Sequence, residues 1–434
     1  MSVRSAGEIF GEAETLALYL GIEVALAHAQ AEVGVIPEDA AREIERGATL
    51  DAIDVPRVRQ EAQRTGYAVA PLVRQLTEAC GDAGRFVHWG ATTQDIVNTA
   101  LALQVDEAFR GVLERVERLA RALAALVRSH RHSVMAGRTF GGHALPITFG
   151  FKAAVWLSSV DRHIERVAQV KPRVLVGEFA GAAGTLASVG ERGLEMQQLF
   201  CEELGLGQPA ITWHVARDGL AEAVTLLGLI TGTLGKIATD VMLMSATEFG
   251  EVSEPFVHGR GASSTMPQKR NPISSELMLA AAKAVRQHVA TMLDAMIHDF
   301  ERATGPWHLE WASLPESFLL AGASLANAKF MLAGLVVHEK RMLDNLGLTR
   351  GLIVAEAVMM AAAPKLGRQH AHDVVYAACR EAIEGDGNLA DILGAVPEIV
   401  EALGGVEAIR RHCDPANYLG LSGKMVDRAI AAGG

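Results

Sequence analysis

Aromatic residues are scarce in this chain, 5% of 434 positions against an apolar share of 50%. So few rings beside so much alanine and glycine disfavour a sandwich core and favour closely packed helices. Only four cysteines are present, Cys80, Cys201, Cys379 and Cys413, far apart and without a C-x-x-C. That excludes a disulfide framework and points to reduced thiols in the cytoplasm. Positive charge is in deficit: the net charge of −11 argues against a nucleic-acid surface. An anionic substrate would need a local cationic pocket. The opening MSVRSAGEIFGEAET lacks the apolar segment of a secretory signal. The longest uncharged apolar run, Ala223 to Gly235, is too short to span a bilayer. Internal repeats, low-complexity tails, metal-ligand spacings and cofactor fingerprints are also missing. Gly259-x-Gly261 follows no predicted strand, so it does not read as a dinucleotide site.

What is present is a set of long apolar seams around one polar loop. Val105, Phe109, Val112, Val116, Leu119, Leu123 and Leu126 alternate spacings of four and three. They predict a long helix from Thr99 to His130. Leu220 to Glu248 predicts another, with Gly228, Gly232 and Gly235 on one face for close helix approach. Pro272 to Phe300 predicts a third, with Met278, Ala281, Val285, Val289, Met292 and Met296 on its seam. Seams of this length need more partner surface than one subunit offers, so helices from several subunits are expected to bundle together.

The polar loop runs from Gly259 to Glu276 and reads GRGASSTMPQKRNPISSE. It is too polar for a core and too dense in donors for a linker. Ser263, Ser264 and Thr265 supply hydroxyls, Lys269 and Arg270 cations, and Asn271 an amide. Asn271 and Pro272 have the chemistry of an N-cap and a first helical residue. Such a set suits a substrate whose α-carbon loses a proton beside a carboxylate, because the second negative charge then meets fixed donors.

The stretch Gly261-Ala262-Ser263-Ser264-Thr265-Met266-Pro267-Gln268-Lys269-Arg270-Asn271-Pro272 resembles the G-S-S-x-M-P-x-K-x-N-P signature of the fumarase/aspartase superfamily, with Ala262 in place of one glycine. The resemblance implies that Ser264 is the general base, with Ser263 beside it, and that Lys269 and Asn271 bind a substrate carboxylate. Glu276, in the first turn of the following helix, would orient a catalytic partner. His88-Trp89-Gly90-Ala91-Thr92-Thr93-Gln94-Asp95 is similar to the family's H-x-G-x-T-S-x-D. On the residues alone it is a helix cap or a ligand site. The resemblance gives Thr92 and Thr93 a carboxylate and His88 a functional role.

Departures from the pattern are informative. Gly137 to Gly150 reads GRTFGGHALPITFG, predicting turn glycines and then a helix opened by Pro146 and running from Ile147 to about Val167. Relatives carry G-R-T-H-x-Q there, and this chain has Phe140 at the histidine. Arg138 is kept and can meet a carboxylate; His143 either replaces the missing histidine or caps a loop. ITWHVARDG, Ile211 to Gly219, follows a W-H-x-x-R-D pattern, leaving His214 as a proton donor or a structural histidine. In ERATGPWHLEWASLPE, Arg302 is kept for a carboxylate, while Trp311 replaces an arginine that adenylosuccinate lyases use for a phosphate.

The resemblance covers almost the whole chain. It implies an all-α, three-domain fold of the fumarase/aspartase type: residues 1–98, a central long-helix domain 99–344 carrying the 259–276 loop, and a small helical domain 345–434. It implies a homotetramer sharing a central bundle and active sites and a small di- or tricarboxylate substrate; the composition and motifs add a cytoplasmic location and no nucleic acid, membrane, metal or cofactor. The leading expectation is 3-carboxy-cis,cis-muconate cycloisomerase. The alternatives are a lyase releasing fumarate from an amino-, nitro- or adenylo-substituted succinate, and an inactive structural homologue. His88, His143 and His214 are candidate acids.

Overall fold

The structure, a computed structural model, describes residues 4–302 and 305–432. It is built on long helices: α1 Glu12–Glu32, α2 Thr93–Ser129, α3 Phe149–Val174, α4 Asp218–Ser245, α5 Ile273–Ala295 and α6 Pro306–Ala333. Among the described residues strands are confined to two antiparallel pairs, β1 Val134–Thr139 with β2 Gly142–Thr148, and β3 Val252–Ser253 with β4 Val336–Val337. The expected all-α class holds.

The chain forms two compact units, each assembled from three stretches. The first takes Met1–Arg115, His163–Gly232 and Ala280–Leu325; the second takes Val116–Arg162, Thr233–Leu279 and Ala326–Gly434. Helices α2 to α6 therefore each contribute residues to both.

Every residue of the α2 seam is buried, Val105, Phe109, Leu119 and Leu123 completely. Each such side chain withdrawn from water contributes roughly 1.5–3 kcal/mol. In the first unit Phe109 meets Phe318 edge-on at 5.1 Å. There α4 approaches α5 closely: a Cβ on Gly228 would lie 2.8 Å from Val289 Cγ2. Gly232, by contrast, faces open space. In the second unit Val358, Leu389, Leu393, Ile399 and Ile409 close a small core of short helices near the C-terminus.

Two local expectations are corrected. Pro146 does not open a helix; it lies in β2 opposite Ala136, and α3 starts at Phe149. A two-stranded ladder tolerates a residue without an N–H, and the β-branched Ile147 and Thr148 extend the strand. The Asn271–Pro272 helix start is also displaced. Helix α5 begins at Ile273, and the N–H groups of its second and third residues, Ser274 and Ser275, donate to Glu254 at 3.0 and 2.8 Å. A carboxylate from upstream thus caps this positive helix end.

Helix α4 is by length and apolarity able to cross a bilayer, which the uncharged run alone did not suggest, and 50% of its most apolar window is buried within the protein. Lys236 and Asp240, on the same helix just after that run, pair with each other.

Candidate active site

In the second unit the signature loop is a closed ring. Ala262 bridges Arg270, and the Asn271 N–H donates to Gly261 O at 2.9 Å. Gly261 has φ +68°, and a Cβ there would sit 2.5 Å from Asn271 O, so this glycine is required. Ser263 Oγ accepts from the N–H groups of Thr265 and Met266 at 3.3 and 3.0 Å. It is the turn-maker of the serine pair. Ser264 takes no part in these bonds and is exposed, as are Lys269 and Glu276. The ring is anchored by Arg260, which donates to Ser274 and Asn327, while Arg270 stacks on Phe256. Ser264 and Lys269 are thus exposed residues of a loop closed at its base by backbone pairing.

The β1–β2 hairpin holds Arg138 and His143 opposite each other. Its tip, Phe140–Gly141, has positive φ at both residues, 51° and 84°. A two-residue hairpin turn of this hand demands that conformation, which a phenylalanine seldom adopts. Phe140 is fully exposed. Arg138 forms a forked pair with the buried Glu251, at 3.0 and 2.7 Å, and Asn345 donates to the same carboxylate at 2.8 Å. Burial and the Arg138 charge, opposed by Glu251, hold His143 below the usual histidine value. Burial first, then the neighbouring cations Lys236 and Arg138, lower Lys152, against the pull of Asp240 and Glu251. Neither Lys152 nor Glu251 stood out in the sequence; a lone charge at the head of an apolar helix, and a glutamate before a polar loop, were the available signals.

The first unit carries the other candidates. His88, in the left-handed region at φ 59°, places Nδ1 2.6 Å from Glu23 Oε1. Glu23 is 2% exposed. Burial works against a charged imidazole, but the Glu23 charge and hydrogen bond, with the Asp95 charge, outweigh it and raise His88 above the ordinary histidine value. Thr93 opens α2, and Asp95 reaches back to the Thr92 N–H at 3.0 Å. The expected helix cap is therefore present, and Thr92 keeps its hydroxyl for another partner. That partner is Arg302, whose Nη1 donates to Thr92 Oγ1 at 2.7 Å and whose Nη2 donates to Ala182 O at 2.9 Å.

His214 is 1% exposed, with Nε2 2.7 Å from Asp95 Oδ1 and 3.9 Å from Glu178 Oε1. A carboxylate only accepts, so Nε2 carries the proton toward Asp95. Burial pushes the Glu178 carboxyl up to about 7, the His214 charge opposing and the Asp95 charge adding. These three groups could surround an ion. Their oxygens are instead engaged by N–H and O–H donors, from Thr92, Ala180 and Gly181 on Asp95 and from Thr212 and Trp213 on Glu178. Donor hydrogens aimed at these oxygens oppose a cation, so the set does not fit a metal. Three residues after His214, Arg217 forms an ion pair with Glu310 in which both side chains are 0% exposed. Trp307 and Trp311 pack with Tyr67 in an aromatic cluster, Tyr67 stacking on Trp307 at 5.7 Å.

Comparison with known proteins sets this geometry in a family. Residues 3–286 match the family model described as Lyase, and residues 351–429 match that of the adenylosuccinate lyase C-terminus. The chain belongs to this lyase family, within the fumarase/aspartase superfamily. The lyase is 42% identical to the 3-carboxy-cis,cis-muconate cycloisomerase of Acinetobacter baylyi, over 98% of this chain and 96% of that one. It is 45% identical to trans-aconitate decarboxylase 1 of Mycosarcoma maydis, over 98% and 86%. The crystal structure of a fumarate lyase from Mesorhizobium sp. BNC1 superposes with a TM-score of 0.93 at 51% identity, covering 99% of both chains. Members of this family act on small carboxylates, and the chain is an enzyme of the family.

The His88–Glu23 pair makes a pH prediction. Where the His88 cation serves turnover, activity falls as pH rises through its raised pKa. Glu23→Gln removes the charge that holds the proton, so the alkaline limb of kcat/KM should move to lower pH. A limb unmoved in that variant would detach His88 from the rate.

Proposed function

We propose that this lyase is a 3-carboxy-cis,cis-muconate cycloisomerase. The observation that carries the reading is the likeness to the Acinetobacter enzyme over the length of both chains. A carboxylate oxygen of the substrate adds to the carbon β to another carboxylate and closes the lactone ring. Negative charge then collects on that second carboxylate as its aci-form, and the α-carbon takes a proton. Ser264 delivers that proton and, in the reverse direction, removes it as an alkoxide. Lys269, Asn271, Thr92, Thr93 and Arg302 hold the substrate's carboxylates, and Glu276 orients the loop's partner group. The His88 cation offsets the growing charge. Ring closure needs neither water nor an amine, which fits Phe140 where fumarases carry a proton-moving histidine.

The motifs work together in a cytoplasmic homotetramer in which separate copies contribute them to one site. Leu229 and Leu243 on α4, Leu293 on α5, Ile297 just beyond its end, and Leu319 on α6 are half-exposed or more in the single chain, as an assembly through these helices requires.

The second reading is elimination from a substituted succinate to give fumarate, favoured by the likeness to the Mesorhizobium fumarate lyase. There His88 would also protonate the leaving group. Both are tested by mixing purified enzyme with 3-carboxy-cis,cis-muconate and following loss of the diene absorbance. Rapid loss is expected. An unchanged spectrum, with fumarate released from amino- or nitrosuccinate, would reverse the order of the two readings.

A further inference from the structure

Arg302 is held at both ends by neutral oxygens. Thr92 Oγ1 accepts from Nη1 at 2.7 Å and Ala182 O from Nη2 at 2.9 Å, while the buried Nε has no partner among the described residues. The guanidinium thus keeps its charge for an incoming anion. The two segments that hold it share one anchor. Asp95 Oδ2 accepts from Thr92 N and Gly181 N, both at 3.0 Å, and Oδ1 accepts from Ala180 N at 3.3 Å. The fourth donor to this carboxylate is His214 Nε2 at 2.7 Å. Asp95 is 0% exposed and His214 1%, so neither can touch a substrate without rearrangement. The position of His214 is itself fixed: Gln94 Nε2 donates to its carbonyl at 2.8 Å, and Glu178 holds the preceding Thr212 and Trp213.

We propose that His214 and Asp95 form a positioning pair, which ties the 92 and 180–182 segments together and so sets the aim of Arg302 at a substrate carboxylate. The inference rests on the reading that Thr92 and Arg302 receive such a carboxylate. His214 fixes the orientation of Asp95, Asp95 fixes both segments, and the segments fix Arg302. A charged donor placed this way recognises its anion through geometry, and small misplacements weaken binding steeply. The pair acts on affinity before rate, which separates it from a proton donor.

The test uses the full-length wild type, His214→Leu, His214→Gln, Asp95→Asn, Arg302→Met and the His214→Leu/Arg302→Met double variant. Each is assayed for turnover of 3-carboxy-cis,cis-muconate and, by calorimetry, for binding of the unreactive tricarboxylate tricarballylate. His214→Leu should raise KM and the tricarballylate Kd about tenfold while kcat changes less than about threefold. His214→Gln, whose amide N–H can replace Nε2–H, should restore both. Asp95→Asn presents a donor where two N–H groups point and should reproduce the leucine phenotype, which keeps the test alive if His214→Leu does not fold. The double variant should bind no more weakly than Arg302→Met alone. Additive losses, a glutamine variant as damaged as the leucine one, or a fall confined to kcat would each overturn the pair. If wild type binds tricarballylate but leaves the muconate unchanged, the substrate assignment fails and the Kd series still decides the positioning role. If wild type does not bind tricarballylate, the carboxylate cradle and its positioning pair fall together.

Discussion

Ser264→Ala is expected to lower turnover about 10²–10⁴-fold, the range for removing a group that moves a proton in the transition state. It should leave the fold intact. Ser264 is exposed, and the bonds that close the loop belong to its neighbours, Gly261, Ser263 and Asn271. A surface substitution outside such contacts changes stability by about 0.5 kcal/mol or less. Ser263→Ala makes the useful contrast, because it removes the acceptor for the Thr265 and Met266 N–H groups and so loosens the loop itself. Steady-state kinetics and thermal melting on both variants separate the roles. Near-normal turnover in Ser264→Ala would remove the serine from the mechanism.

The largest effect on stability is expected at Arg217. Its guanidinium donates to both oxygens of Glu310 and to Asn98 Oδ1, and lies over the Trp213 ring at 4.8 Å. Arg217→Met would strand a carboxylate that is 0% exposed. Breaking a buried pair from one side costs about 3–5 kcal/mol, because the remaining charge has neither partner nor water. Replacing both residues with methionine removes the stranded charge, so the double variant should recover much of the loss. Urea unfolding of the two variants measures this. A single variant within about 1 kcal/mol of wild type would mean that Glu310 takes a proton or finds water.

Much of this molecule was legible before its coordinates. The α2 seam announced itself by spacing because one face of a long helix must be apolar. The signature loop stood out because polar, glycine-bearing sequence between two such helices cannot be core. What stayed hidden has one physical character. Glu254 caps α5 from 20 residues upstream, Glu251 neutralises Arg138, and Asp95 gathers donors from segments 85 and 119 residues away. Such long-range carboxylate contacts leave no periodicity. The helix start reads two residues early because Pro146 suits a first helical turn as well as a two-stranded edge. Local sequence did not decide between them; pairing with Ala136 did.

Each compact unit is stitched from three stretches, and that has a bearing on how the chain is made. The first unit draws its last stretch from Ala280–Leu325 and the second from Ala326–Gly434. A ribosome that has released only the N-terminal half therefore exposes α2 before α6, which supplies Phe318 to its seam. No early piece can finish folding and shelter its apolar face, as an N-terminal domain does in a chain of consecutive domains. Nascent chains shorter than Leu325 should be rich in chaperone clients and poor in protease-resistant cores. For the same reason, cutting between the stretches yields fragments that need one another in order to fold.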